Sequence, residues 1–175
     1  QATLPPPTIK TPEQADWRAA AATGSANFDS FACNACHIRA LPLDSLRFTD
    51  PGPNDAAGTL RQGEAAETVI NLDLLDWAKT LPRNAAGQVM VPLFGDLRRH
   101  KMTDQQIASL GNELLAQRFV GRDVFQTTEL WGIASTAPYG HRGDFTTLDE
   151  IIRAHGGDAR AARDSYVNAS DADRS

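Results

Sequence analysis

The stretch that most constrains this chain is Cys33-Asn34-Ala35-Cys36-His37. Two thiols three positions apart can each add to one vinyl group of a haem, and the adjacent imidazole then lies under the iron as its proximal ligand. The pattern predicts one covalently attached haem c, bound through Cys33 and Cys36 and ligated by His37. Two other chemistries use cysteines at this spacing. A thioredoxin-like dithiol opens a helix in a βαβ setting, whereas an Ala-rich helical stretch precedes this motif. A structural zinc site needs two further ligands at a matching spacing, and the chain has only 2 cysteines. Both thiols are therefore assigned to haem, and cysteine usage says nothing further about compartment.

Length and charge narrow the partners. A chain of 175 residues is one domain or slightly more. The net charge is −5, and haem propionates would lower it further, which argues against nucleic acid or an anionic membrane surface. No apolar run approaches the roughly eighteen residues of a transmembrane segment. Because c-type haem is attached after export in bacteria, the expected location is periplasmic or otherwise exported, reached through a removed leader or an upstream domain.

Residues 1–11, with Pro5-Pro6-Pro7, read as an extended linker. Thr11-Pro12-Glu13-Gln14 predicts a helix start with Thr11 as N-cap and Gln14 reaching back. Trp17, Ala20, Ala21, Gly24 and Phe28 follow at helical spacing and predict one buried face ending near Ser30. From Ile38 to Leu97 turn signals dominate, with short strands expected over 68–72 and 88–92. Thr103-Asp104-Gln105-Gln106 predicts a second capped helix burying Ile107, Leu110, Leu114 and Leu115. Thr147-Leu148-Asp149-Glu150 opens a third over 148–155, with Gly156-Gly157 at its C′ end, and Asp158–Val167 predicts a fourth. Ser170 to Ser175 reads as the start of a helix whose body is absent. The expected fold is mainly α: a cytochrome c-like haem domain over 12–175, incomplete at its C-terminus, with long irregular loops and a small β-hairpin.

His155 is the second haem candidate. Leu148, Ile151, Ile152 and His155 share one helical face, so this histidine is hydrogen-bonded, exposed at the helix end or bound to metal.

Further residues carry a resemblance. Leu130-Trp131-Gly132-Ile133, Thr136-Ala137-Pro138-Tyr139-Gly140-His141-Arg142-Gly143, Thr147-Leu148-Asp149-Glu150 and Ala154-His155-Gly156-Gly157 resemble the second haem domain of the bacterial di-haem cytochrome c peroxidase and MauG superfamily. The branch they resemble most is that of the di-haem oxidoreductases, or thiol oxidoreductase-like proteins. The resemblance runs from Gly24 to the C-terminus and includes Val91-Pro92-Leu93-Phe94-Gly95-Asp96-Leu97 with His100 and Met102. It implies that the residue fourteen beyond His141, which is His155, is the distal axial ligand. Met102 is the alternative distal ligand, since a thioether suits a high-potential haem. The resemblance further implies that His141 is hydrogen-bonded near the haem. Arg142 stands where the family has aspartate, and could pair with a propionate. His100 is either a second propionate partner or a solvated surface residue. Trp131 could lie at the haem edge on an electron path, while Trp17 and Trp77 read as packing residues.

Two functional classes follow. With His37 and His155 saturating the iron, the domain is an electron-transfer module exchanging electrons with another haem domain, a cytochrome subunit or a soluble redox partner. With the distal ligand absent or displaced, it is the catalytic haem domain of a cytochrome c peroxidase-like oxidoreductase. A structural haem is a third reading. Members of the superfamily carry two haem domains, so the single motif suggests one domain of a larger assembly.

Overall fold

The computed structural model describes residues 5–6, 10–50, 68–111 and 119–174. Most of the proposed linker, the Pro51 loop, and Leu114 and Leu115 lie outside them. The chain divides into two compact units, one of Gln1–Pro7 with Ala40–Pro92, the other of Thr8–Arg39 with Leu93–Ser175. Every residue proposed to touch a haem belongs to the second unit.

The first unit is built on paired short strands. Strand β1 (Leu41–Pro42) pairs antiparallel with β4 (Met90–Val91), and β2 (Arg47–Asp50) with β3 (Thr68–Asn71). The strands expected near 70 and 90 are both present, but each pairs with a segment earlier in the chain rather than with the other. A short helix α2 (Asp76–Thr80) follows β3, and Leu72, Ala78 and Val89 form the buried centre.

The second unit opens with α1 (Ala15–Ser30). The helix starts later than the capping signal suggests, because the carbonyls of Pro12 and Glu13 accept from the Arg18 guanidinium and Thr11, preceding proline, is disfavoured from helical backbone. The expected buried face is not realised. Trp17 is 65% exposed and a Cβ on Gly24 would meet nothing within 4 Å, so alanine propensity rather than burial sustains these turns. Only the end of the helix packs, at Asn27 and Phe28.

A ribbon of β5 (Arg99–Lys101) and β6 (Val124–Gln126) follows, with His100 opposite Phe125. Then come α3 (Leu148–Arg153), α4 (Arg160–Asn168) and α5 (Asp171–Arg174). The capping box on α3 forms as expected: Thr147 Oγ1 accepts from the Glu150 N–H, and Glu150 Oε2 accepts from the Thr147 N–H. At α5 the Asp173 carbonyl accepts from Asn27 Nδ2 at 2.9 Å, joining the last helix to the first.

The helix expected after Thr103 is absent over 103–111. Thr103 Oγ1 donates instead to Asp123, and Asp104 takes the N–H groups of Gln106, Ile107 and Gly157 together with the Arg160 guanidinium. A carboxylate shared between two neighbouring N–H groups and two distant donors, Gly157 and Arg160, holds the segment as a turn.

The mainly α, cytochrome c-like expectation is therefore corrected. Among the described residues, helix accounts for 37% and strand for 14%, in five helices and small two-stranded sheets. Short polar strands such as Arg99-His100-Lys101 lack the apolar alternation by which a strand is read. Their pairing is decided by tertiary partners.

Candidate functional site

Three hydrogen bonds shape the cysteine motif. Helix α1 ends as Phe31 and Ala32 donate to the carbonyls of Asn27 and Asp29. Ala32 takes a left-handed backbone, φ 62°, turning the chain into a 3₁₀ turn over Cys33–Ala35. The His37 N–H closes it onto the Cys33 carbonyl at 3.0 Å. In such a turn side chains at i and i+3 lie one above the other, so both half-buried thiols share a side. They are not joined as a disulfide. Burial pushes both thiols up, and at Cys36 the charges of Asp96 and Asp158 push further in the same direction. Redox-active dithiols are tuned the other way, toward thiolate, so the local chemistry disfavours a thioredoxin-like reading.

His37 is oriented from a distance in sequence. Its Nδ1 lies 3.0 Å from the Phe94 carbonyl oxygen. A carbonyl can only accept, so Nδ1 carries the proton and Nε2 is the nitrogen left to ligate. The segment 94–95 is stitched to 37–39 by two more bonds, Gly95 N–H to Ile38 O and Phe94 N–H to Arg39 O. Phe94 has φ 55°, a left-handed backbone that costs a non-glycine residue roughly 1–2 kcal/mol, and its carbonyl is the one that meets His37. Arg39 lies over the Phe28 and Phe94 rings and bonds Asp29 and the Ser25 carbonyl. This holds the end of α1 against the loop.

His155 is oriented in the same manner. Its Nδ1 lies 2.7 Å from the Ile151 carbonyl oxygen, one turn back on α3, which again leaves Nε2. Burial holds its pKa below the ordinary imidazole value, the Ile151 bond acts against this, and the charge of His37 lowers it further. Burial therefore favours the neutral form of His155 more than in a free imidazole.

Gly156 and Gly157 are not a helix cap but a place of close approach. A Cβ at Gly156 would stand 2.7 Å from the Ile107 carbonyl oxygen, and one at Gly157 2.2 Å from that of Lys101. The Gly156 N–H donates to the Met102 carbonyl at 3.1 Å. Met102 thus has its backbone beside the residue following His155, which places both distal-ligand candidates in one neighbourhood.

The remaining candidates are placed differently. His141 stacks on the Phe125 ring, centroids 4.4 Å apart. Trp131 and Arg142 are exposed. Trp131 precedes the 3₁₀ turn Ile133–Ser135, and Arg142 lies in the turn closed by the Tyr139–Phe145 bridge. Trp17 is exposed on α1, contrary to the packing role expected of it.

One group is not legible from the sequence. Asp96 Oδ2 accepts from His100 Nε2 at 2.8 Å, and His100 Nδ1 lies 4.0 Å from Cys36 Sγ. Burial raises the Asp96 pKa, but bonds from Thr127, the Arg98 N–H and His100 outweigh it and hold the carboxyl at about 2. The four-residue spacing of Asp96 and His100 is visible in the chain, but nothing local links it to Cys36.

No family model, curated protein or solved structure matches this chain. Among the described residues, no helix is long and apolar enough to cross a membrane.

Proposed function

We propose that this chain is a c-type cytochrome electron-transfer domain, carrying one haem attached through Cys33 and Cys36 with His37 and His155 as axial ligands. The observation that carries the reading is the matched state of the two imidazoles. Each gives its Nδ1 proton to a backbone carbonyl, Phe94 O at 3.0 Å and Ile151 O at 2.7 Å, and each is left with Nε2 as its ligating atom. Backbone acceptors of this kind fix the tautomer and ring orientation of metal-binding histidines. The donor set fits the group: two free thiols on one turn, one imidazole beside them and a second, half-buried imidazole in the same compact unit. The resemblance to the di-haem peroxidase and MauG superfamily supports the same assignment.

When bound, the iron would supply a one-electron couple. The chain's part is to hold both imidazoles in place whatever the iron's charge. His37 is held by the 94–95 loop and the Arg39 clamp, and His155 by the capped helix α3 and the close approach at Gly156-Gly157. Ligands fixed in this way need little rearrangement when an electron arrives or leaves. The partner would be another haem domain, a cytochrome subunit or a soluble redox protein, in the periplasm or another exported location.

Acid–acetone extraction should leave the haem on the polypeptide, and release into the organic phase would refute covalent attachment. Ferric EPR should be low-spin, turning high-spin in His155→Ala. If His155→Ala stays six-coordinate while Met102→Ala alters the spectrum, Met102 is the ligand.

A further inference from the structure

We infer that the haem-free chain binds one borderline-soft divalent cation of the zinc class through Cys36, His100 and Asp96, and that this ion and haem attachment exclude one another at Cys36. One donor atom from each of the three side chains lies within 4.8 Å of the other two. Zinc bonds of about 2.3 Å to sulfur and about 2.0 Å to nitrogen give a tetrahedral edge near 3.5 Å, so the cluster need close by only about an ångström. Cys36 Sγ lies 4.0 Å from His100 Nδ1 and Asp96 Oδ2 lies 2.8 Å from His100 Nε2, so the ring would turn to offer a single nitrogen to an ion between the sulfur and the carboxylate.

The site is built rather than incidental. The Asp96 side chain is 6% exposed and that of His100 20%. Asp96 sits between Phe94 and Leu97, two non-glycine residues with left-handed backbone at φ 55° and 57°, a strained arrangement of the kind that clusters at functional loops. His100 is fixed in the β5–β6 ribbon. Asp158 adds a second carboxylate, its Oδ2 3.9 Å from His100 Nδ1. Two carboxylates beside a thiol make the place favourable for a cation. A mixed sulfur, nitrogen and oxygen donor set selects zinc or cobalt over magnesium or calcium. Only three protein donors converge, so the fourth position would hold water or another small ligand.

The consequence rests on the haem reading, but the ion does not. Once Cys36 Sγ is a thioether it no longer offers a thiolate, so the haem-loaded chain loses the site.

Titrating the reduced, haem-free full-length chain with cobalt(II) should give one equivalent of binding and a thiolate-to-metal band in the near ultraviolet. The band should persist in Cys33→Ser and in His37→Ala, vanish in Cys36→Ser, and need at least tenfold more cobalt in His100→Ala and Asp96→Asn. Zinc should displace it. Equal loss in Cys33→Ser and Cys36→Ser would mean chelation by the C-x-x-C pair and would overturn the proposal, as would an unchanged titration in His100→Ala. Exported chain carrying covalent haem should show no such band. A chain that never takes up haem yet binds cobalt as described would refute the cytochrome reading and leave the ion site standing.

Discussion

Replacing Gly157 with alanine tests whether the close approach beside His155 holds this unit together. The substitution meets two costs. Gly157 has φ +54°, and a left-handed backbone costs an alanine about 1–2 kcal/mol. Its Cβ would stand 2.2 Å from the Lys101 carbonyl oxygen and 2.9 Å from that of Thr103. Both obstacles are main chain and cannot rotate aside, so the second cost is that of overpacking, about 1–3 kcal/mol. The total is about 2–5 kcal/mol. Gly132→Ala is the matched control, because Gly132 has φ +65° but its Cβ would meet nothing nearer than Thr136 Cγ2 at 3.8 Å. It should pay the backbone strain alone. Amide hydrogen exchange over 148–168 reads the opening of this unit directly. Protection there should fall in Gly157→Ala by about fivefold or more beyond the fall in Gly132→Ala. If the two variants agree within about 0.5 kcal/mol, a difference no larger than the usual scatter between independent sites, the close approach contributes nothing and the reasoning fails.

Thr147→Ala removes the capping box on α3 and should cost about 1 kcal/mol, read as faster exchange of the α3 amides; an unchanged rate would show that the packing of Tyr166 against Asp149 alone suffices. Asp96 titrates at about 2 in the folded chain against about 3.9 unfolded. Its contribution to stability is therefore complete above about pH 4 and is lost as pH falls toward 2. The depressed carboxyls of Asp104, Asp149 and Asp164 act with the same sign. Urea midpoints should drop across this window, less steeply in Asp96→Asn, and a flat profile would contradict the assignment. The haem-loaded chain should bind carbon monoxide slowly and turn over peroxide no faster than free haem, in stopped-flow and steady-state assays; rapid binding or turnover would make it a catalyst rather than a carrier.

What the amino-acid sequence determined by itself is local. The Thr147–Glu150 box, the helix running into Cys33 and the helix before Asn168 each depend on partners within about four residues, where propensity, capping and periodicity act. The Cys33-Asn34-Ala35-Cys36-His37 spacing belongs to this class, because its chemistry is set by adjacency. Only the tertiary structure decided which carbonyl takes the His37 proton, since Phe94 lies 57 residues away. It also decided that Asp96 and His100 reach Cys36, that Asp104 ties to Gly157 and Arg160 instead of starting a helix, and that Gly156-Gly157 serves close packing. Helical spacing in α1 predicted burial, yet an Ala-rich segment satisfies its own backbone hydrogen bonds and stays helical with Trp17 and Gly24 in the open. Periodicity states which face a helix can bury; the rest of the chain decides whether anything arrives to cover it.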